Sequence, residues 1–179
     1  DVSWSEGGVV APAREPAPAL QVGKDVIDRV AEALTGGSST VLLIGGPVLR
    51  ERGQLAAARI AKATGVQVIA TSAARIERGA GLPTFSRLAY LAEHAAAQLA
   101  DTRHLVLAGT KSPVSFFAYP DMPSDLVPDG CEVTALGDGA YDVVAALAAL
   151  ADLVAPGVTP DVVAAGVPTR RPEVCMAGS

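Results

Sequence analysis

Short apolar runs alternate along the chain with longer stretches in which apolar residues return every third or fourth position. The clearest run is Thr40-Val41-Leu42-Leu43-Ile44, closed by Gly45-Gly46-Pro47. A continuous apolar segment ended by glycine predicts a strand covered on both faces. Weaker runs of the same kind extend from Val66 to Ala70, from His104 to Ala108 before Gly109, and from Glu132 to Leu136. The stretches between them read as helices. From Gly23 to Leu34 the spacing puts Val26, Ile27, Val30, Ala31 and Leu34 on one helical face, which Gly36-Gly37 ends. From Arg50 to Thr64, Gly53, Ala56, Ala57, Ile60 and Ala61 form a face of small residues suited to lie close on a sheet. Lys62 falls in the last turn and Gly65 just past it, where a basic residue and a glycine favour a helix end. Ser86 is placed to cap a third helix to Ala100, burying Leu88, Leu91, Ala92, Ala95 and Leu99. A fourth runs from Ala140 to Val154, opened by Asp138 or a neighbour. Thr159-Pro160-Asp161 has the N-cap and first-turn proline of a further helix start.

Strand, helix and strand within about thirty residues make a βαβ unit with a right-handed crossover. Repetition of that order predicts an α/β fold: a three-layer, doubly wound, Rossmann-like domain on a mostly parallel sheet of four to six strands. The expected organisation is an N-terminal linker over 1–21, rich in Pro, Ala and Gly, a central domain over 22–155, and a C-terminal linker or tail over 156–179. A chain of 179 residues suits one domain with one core. The absence of an initiator Met at Asp1 suggests a processed product or an excised segment.

Composition sharpens this. Half of the residues are hydrophobic but only 4% are aromatic, so the core is expected to be Ala, Val and Leu. The two cysteines, Cys131 and Cys175, lack metal-ligand spacing and read as reduced thiols of a cytoplasmic protein. No apolar run is long enough for a bilayer span, and no signal peptide is visible. The net charge of −5 conceals an asymmetry. Arg50, Arg52, Arg59, Lys62, Arg75, Arg78 and Arg87 stand against only Glu51 and Glu77 in one stretch, whereas Ser112 to Thr169 holds eight acidic residues and no basic one. The basic stretch is either a solvated face, the reading preferred, or the neighbourhood of an anionic cofactor. An acidic chain without interleaved basic and aromatic residues does not suit nucleic acid.

Reactive constellations are missing. No serine sits in a GxSxG elbow. His94 and His104 fall within a helix and at a strand start, and the chain contains no Asn. Two histidines and two unspaced cysteines make no metal ligand set. No catalytic or metal residue is therefore assigned. The Gly45-Gly46 turn lacks the full dinucleotide pattern, although its amides and Arg50 lie where a helix N-terminus could take a phosphate; a tight strand-to-helix turn is the preferred reading. Gly137-Asp138-Gly139 has the form that opens a magnesium and diphosphate motif, which needs oxygen ligands from an Asn further along. Without that Asn it reads as another turn. Phe116, Phe117 and Tyr119 cluster in a proline-rich loop, either to plug the domain's own core, which is preferred, or to pack on partner domains.

Taken in order, VLLIGGPVLRERGQLAAARIAKATGVQVIATSAARIERGAGLP and HLVLAGTKSPVSFFAYPDMPSDLVPDGCEVTAL resemble the central domain of thiamine-diphosphate-dependent enzymes. Among these they resemble acetolactate synthase large-subunit-like proteins and benzoylformate decarboxylase. The likeness covers roughly residues 20–155 and rests on order and spacing, not on one diagnostic motif. It implies an enzyme of three α/β domains, a carboligase or decarboxylase of 2-oxo acids (a transferase or lyase). The first, pyrimidine-binding domain supplies a Glu and the third holds diphosphate and Mg²⁺, usually across the interface of a homodimer or homotetramer. The central domain alone is then expected to be inactive. In flavin-binding members the matching positions are Gly45, Gly46, Thr71, Gly109, Thr110 and Lys111. Two departures count against FAD here: Lys111 replaces an Arg that clamps diphosphate better, and AARIERGAGLPTF replaces a His- and Gly-rich stretch. The alternative is a free-standing nucleotide-binding module of the same fold, taking FAD or ADP.

Overall fold

The computed structural model describes residues 6–8, 10–37, 39–72, 74–117, 124–137 and 139–165. Tyr119, Asp138 and Cys175, singled out above, lie outside the described residues. Five parallel strands form one sheet: β1 (Thr40–Ile44), β2 (Gln67–Ala70), β3 (Ser86–Arg87), β4 (His104–Ala108) and β5 (Glu132–Gly137), in the order β3-β2-β1-β4-β5. All five residues of the central β1 are buried, as its unbroken apolar run requires. The Rossmann-like fold class and the four strands read from the sequence are present.

Strand side chains alternate between faces. Leu42, Ile44, Val68, Ala70 and Val106 point into a larger core shared with helices α1 (Lys24–Thr35), α2 (Glu51–Thr64) and α4 (Val143–Val154). Val41, Leu43, Ile69, Leu105 and Leu107 face the other way, onto α3 (Ala92–Leu99) and Leu126. The Ala56–Ala57 face lets α2 lie close to the sheet, and Ile60 fills the space beyond. Gly65 ends α2 in the left-handed region, φ 76°, its N–H bonded to the Ala61 carbonyl at 2.8 Å. Helix α4 has no basic residue of its own in its last turn. Arg59 of α2 supplies one, donating to the Ala155 carbonyl at 3.1 Å and pairing with Asp152 at 2.9 Å.

Three sequence expectations need correction. Ser86 does not cap a helix. Ser86–Arg87 is the edge strand β3, paired with Ile69 and Ala70, and α3 begins only at Ala92, leaving Leu91 exposed. The strand wins because the Leu88 N–H bonds the Ala70 carbonyl, while Gln98 ties down the Arg87 carbonyl and the Ala89 N–H. The last helix begins at Val143, and Asp142 caps it through the Ala145 N–H at 2.9 Å. Thr159-Pro160-Asp161 starts no helix. That segment stays extended because Val163 exchanges backbone hydrogen bonds with Gly81 and Leu82, and Asp161 pairs with Lys62 at 2.6 Å. At the other end of the chain, Leu20 lies parallel to Tyr141, its N–H bonded to Ala140 and its carbonyl to Asp142.

Candidate functional site

A parallel sheet offers its ligand crevice at the carboxyl ends of the strands, where the strand order reverses. That point lies between β1 and β4. Gly45 and Gly46 follow β1, Thr71 follows β2, and Gly109, Thr110 and Lys111 follow β4, so the fold gathers all six residues on one rim. The rim is knitted by backbone: the Gly45 N–H bonds the Ala108 carbonyl at 2.9 Å, and the Thr71 N–H bonds the Ile44 carbonyl at 3.0 Å. Lys111 is exposed, and the Thr110 hydroxyl turns to the Lys111 carbonyl at 3.3 Å.

The glycines serve a close approach of the turns after β1 and β4. A Cβ on Gly45 would stand 2.7 Å from the Thr110 Cβ, and one on Gly46 would stand 2.8 Å from the Gly109 carbonyl oxygen. Gly109 has φ 69°, and a Cβ there would lie 2.7 Å from the Gly45 carbonyl oxygen. The missing side chains let the two backbones touch.

The N-terminus of α2 is filled as well. Glu77, from the loop after β2, accepts the Glu51 N–H at 2.6 Å and the Arg50 guanidinium at 3.0 Å. Those two donors, the backbone bond first, hold its carboxyl below the usual carboxylate range. The loop is fixed from beneath by Gln54, a fully buried residue whose Nε2 donates to the carbonyls of Leu49 at 2.8 Å and Glu77 at 2.9 Å. The Glu77 N–H completes the staple on Leu49 at 3.0 Å. The helix end and arginine that sequence offered to an external anion thus hold an internal carboxylate. Sequence reading missed both Glu77 and Gln54. A glutamine inside an Ala/Ile stripe was the one available signal.

Part of the basic stretch is paired within the chain. Arg50 pairs with Glu77, Arg59 with Asp152 and Lys62 with Asp161, so the charge asymmetry is partly neutralised within the chain. Arg87 donates to the Ser72 carbonyl at 2.9 Å. Of the remaining candidates, Gly137 ends β5 at φ 147° against Tyr141, Val143 and Val22, as a turn does. Among the described residues no group of His, Cys, Asp or Glu could hold a metal ion. His94 is exposed on α3, and His104 Nε2 lies 3.0 Å from the Thr134 hydroxyl. Cys131 is a free thiol whose pKa is pushed up by burial, which makes it a poor nucleophile.

Two further surface features stand at opposite ends of the sheet. An open cleft of about 610 Å³ crosses the amino ends of β1, β4 and β5, between Arg29, Glu32, Arg103, His104 and Glu132. At the other end, Phe116 and Phe117 do not plug the core. They are exposed and stack with Tyr90, with ring centroids 4.9 to 6.0 Å apart. No helix among the described residues is long and apolar enough to cross a membrane.

No family model matches the chain. It is 52% identical, over 174 residues and 94% of its length, to a Mycobacterium tuberculosis protein named as an acetolactate synthase large subunit, IlvX. The match covers 32% of that protein, so the chain spans about a third of the length of this curated relative. Among solved structures it is similar to the thiamine diphosphate-dependent 4-hydroxybenzoylformate decarboxylase of Rhodococcus jostii RHA1, with a TM-score of 0.59 and 19% identity over 88% of this chain and 32% of that one. A Mycobacterium smegmatis protein described as thiamin diphosphate-dependent gives a TM-score of 0.59 and 20% identity, over 85% and 33% of the two chains. These two likenesses show a common fold.

Proposed function

We propose that residues 1–179 are the central scaffold domain of a longer thiamine-diphosphate-dependent enzyme, a carboligase or decarboxylase that acts on 2-oxo acids in the cytoplasm. The observation that carries this is a single mismatch of lengths: the likeness to IlvX takes in 94% of this chain but only 32% of the relative. The free-standing nucleotide module is the weaker reading, because the matched relative is about three times as long and Glu77 already sits at the helix N-terminus that a phosphate would use.

In the proposed parent, thiamine diphosphate supplies an electron sink for the carbanion left when a 2-oxo acid loses its carboxylate. Thiamine diphosphate and Mg²⁺ would be held by the pyrimidine-binding and diphosphate-binding domains on either side, in a homodimer or homotetramer. The residues of this chain contribute rigidity. The Gly45–Gly109 contact locks β1 to β4, and Glu77 with Gln54 locks the loop after β2 to α2, giving flanking domains a fixed platform. Gly45, Gly46 and Gly109 serve the close approach of the two turns, and FAD is not part of the proposed reading.

The test is the coding sequence on either side of this segment. It should continue in frame into an upstream α/β domain that bears the ring-activating Glu, and a downstream one with a GDG triplet followed by Asn. An in-frame stop directly after Ser179 with no upstream domain would remove the proposal.

A further inference from the structure

Helix α2 is gripped at both ends by segments outside it. At its first turn Glu77 accepts the Glu51 N–H, and the Glu77 N–H donates to the Leu49 carbonyl. At its last turn Lys62 pairs with Asp161 at 2.6 Å. Two residues further on, the Val163 carbonyl accepts the Gly81 N–H and the Val163 N–H donates to the Leu82 carbonyl, each at 2.9 Å. Gly81 and Leu82 belong to the loop that carries Glu77. The contacts therefore close a ring, from the first turn of α2 through Glu77, Leu82, Val163 and Asp161 to its last turn.

The loop inside this ring has little else to fix it. Ile76 and Phe85 are only partly buried against the main core, and Gly79 and Gly81 both adopt positive φ. Val163 shares a cavity of about 290 Å³ with Ile76, Glu77, Arg78 and Phe85. A second cavity, of about 310 Å³, has Lys62, Asp161 and again Phe85 in its wall. A segment with so few buried contacts opens locally unless it is tied down. Each tie is weak alone, since an exposed ion pair such as Lys62 with Asp161 contributes little by itself. Joined in one network they reinforce each other, because every tie restricts the chain that the next must hold.

We infer that residues 161–163 are a latch that holds the loop over 76–85 and, through it, the Glu77 cap on α2. Docked, the segment keeps the Glu77 carboxylate on the helix N-terminus and Arg50. Released, it frees the loop and uncovers that end of the helix, although Asp161 and Val163 touch neither Glu51 nor Arg50. The device belongs to this chain's own contacts and does not depend on the proposed function.

The test is amide hydrogen exchange in 1–179 carrying Val163→Pro, which removes the N–H given to Leu82 at an exposed position outside the sheet. Exchange at Gly81 is expected to quicken, and exchange at Glu77 and Glu51 to quicken with it by about tenfold or more, as in one locally opening unit. Leu43, in the central strand, should keep its rate. Lys62→Met breaks only the ion pair and should move the same three amides in the same direction by less; if Val163→Pro fails to fold, this variant decides alone. Faster exchange at Gly81 with unchanged Glu77 and Glu51 would overturn the latch, since the segment would then lie passively on the loop. Equal quickening at Leu43 would overturn it too, because the cap would be opening with the whole fold. So would an unchanged Gly81 in both variants.

Discussion

The carboxylate of Glu77 accepts the backbone N–H of Glu51 at 2.6 Å, so a loop residue 26 positions downstream caps the helix that follows β1. Arg50, beside that helix end, is drawn into the same contact at 3.0 Å. A helix N-terminus with an adjacent guanidinium is an anion site, and here the anion is built in.

This makes Glu77 pH-sensitive in a defined direction. Its folded pKa is depressed by the Glu51 N–H and by Arg50, so its stabilising contribution is fully present above the unfolded carboxylate value. It fades as pH falls through the lower, folded value. Glu77→Gln keeps the shape and removes the charge. The melting temperature of the variant is expected to lie below that of the wild type at neutral pH, and the two curves should converge on acidification. A gap that stays constant down to strongly acidic pH would show that the carboxylate is not the capping group.

Gln54 tests the same staple from below. Gln54→Leu leaves the Leu49 and Glu77 carbonyls without their buried donor. The expected loss is about 1–3 kcal/mol, the cost of an unsatisfied buried group, read from urea unfolding midpoints. The loop from Ala74 to Gly79 should also become more sensitive to protease in this variant.

At the rim, Gly109→Ala is expected to destabilise by about 1–3 kcal/mol, because a left-handed residue gains a side chain against backbone. Gly139→Ala meets nothing within 4 Å and has no positive φ, so it serves as the control. Its effect should stay within about 0.5 kcal/mol. Equal effects at the two positions would remove the argument that the glycines serve backbone contact.

The Glu77 cap also bears on nucleotides. Thermal unfolding of 1–179 with FAD, ADP, NAD or coenzyme A is expected to show no shift. A nucleotide bound at about 100 times its dissociation constant would add about 2.7 kcal/mol, and such a gain with any of them would reopen the site.

What was legible in the sequence follows from which signals are local. Thr40–Ile44 and His104–Ala108 announce themselves because, past the first residue, each is an unbroken apolar run buried on both faces. Gly65 marks its helix end because only the local chain is involved. Ser86–Arg87 is invisible by the same logic: two polar residues become a strand only because Ile69 and Ala70 already offer an edge. The candidate rim was readable residue by residue, since glycines after strands fall at the switch point of this fold. Its internal contacts were not, because the Gly45–Gly109 approach and the Glu77 cap join segments far apart in sequence. The exposure of Phe116 and Phe117 went against the preferred reading of a core plug, because their loop's contact with Tyr90 joins segments far apart in sequence.

The central claim is that this chain shapes a platform and brings no reactive centre. Purified 1–179 should be assayed for decarboxylation of pyruvate and benzoylformate with thiamine diphosphate and Mg²⁺, beside a protein that includes both flanking domains. The expected result is turnover of a 2-oxo acid by the longer protein and none by 1–179; turnover by 1–179 alone would contradict the account.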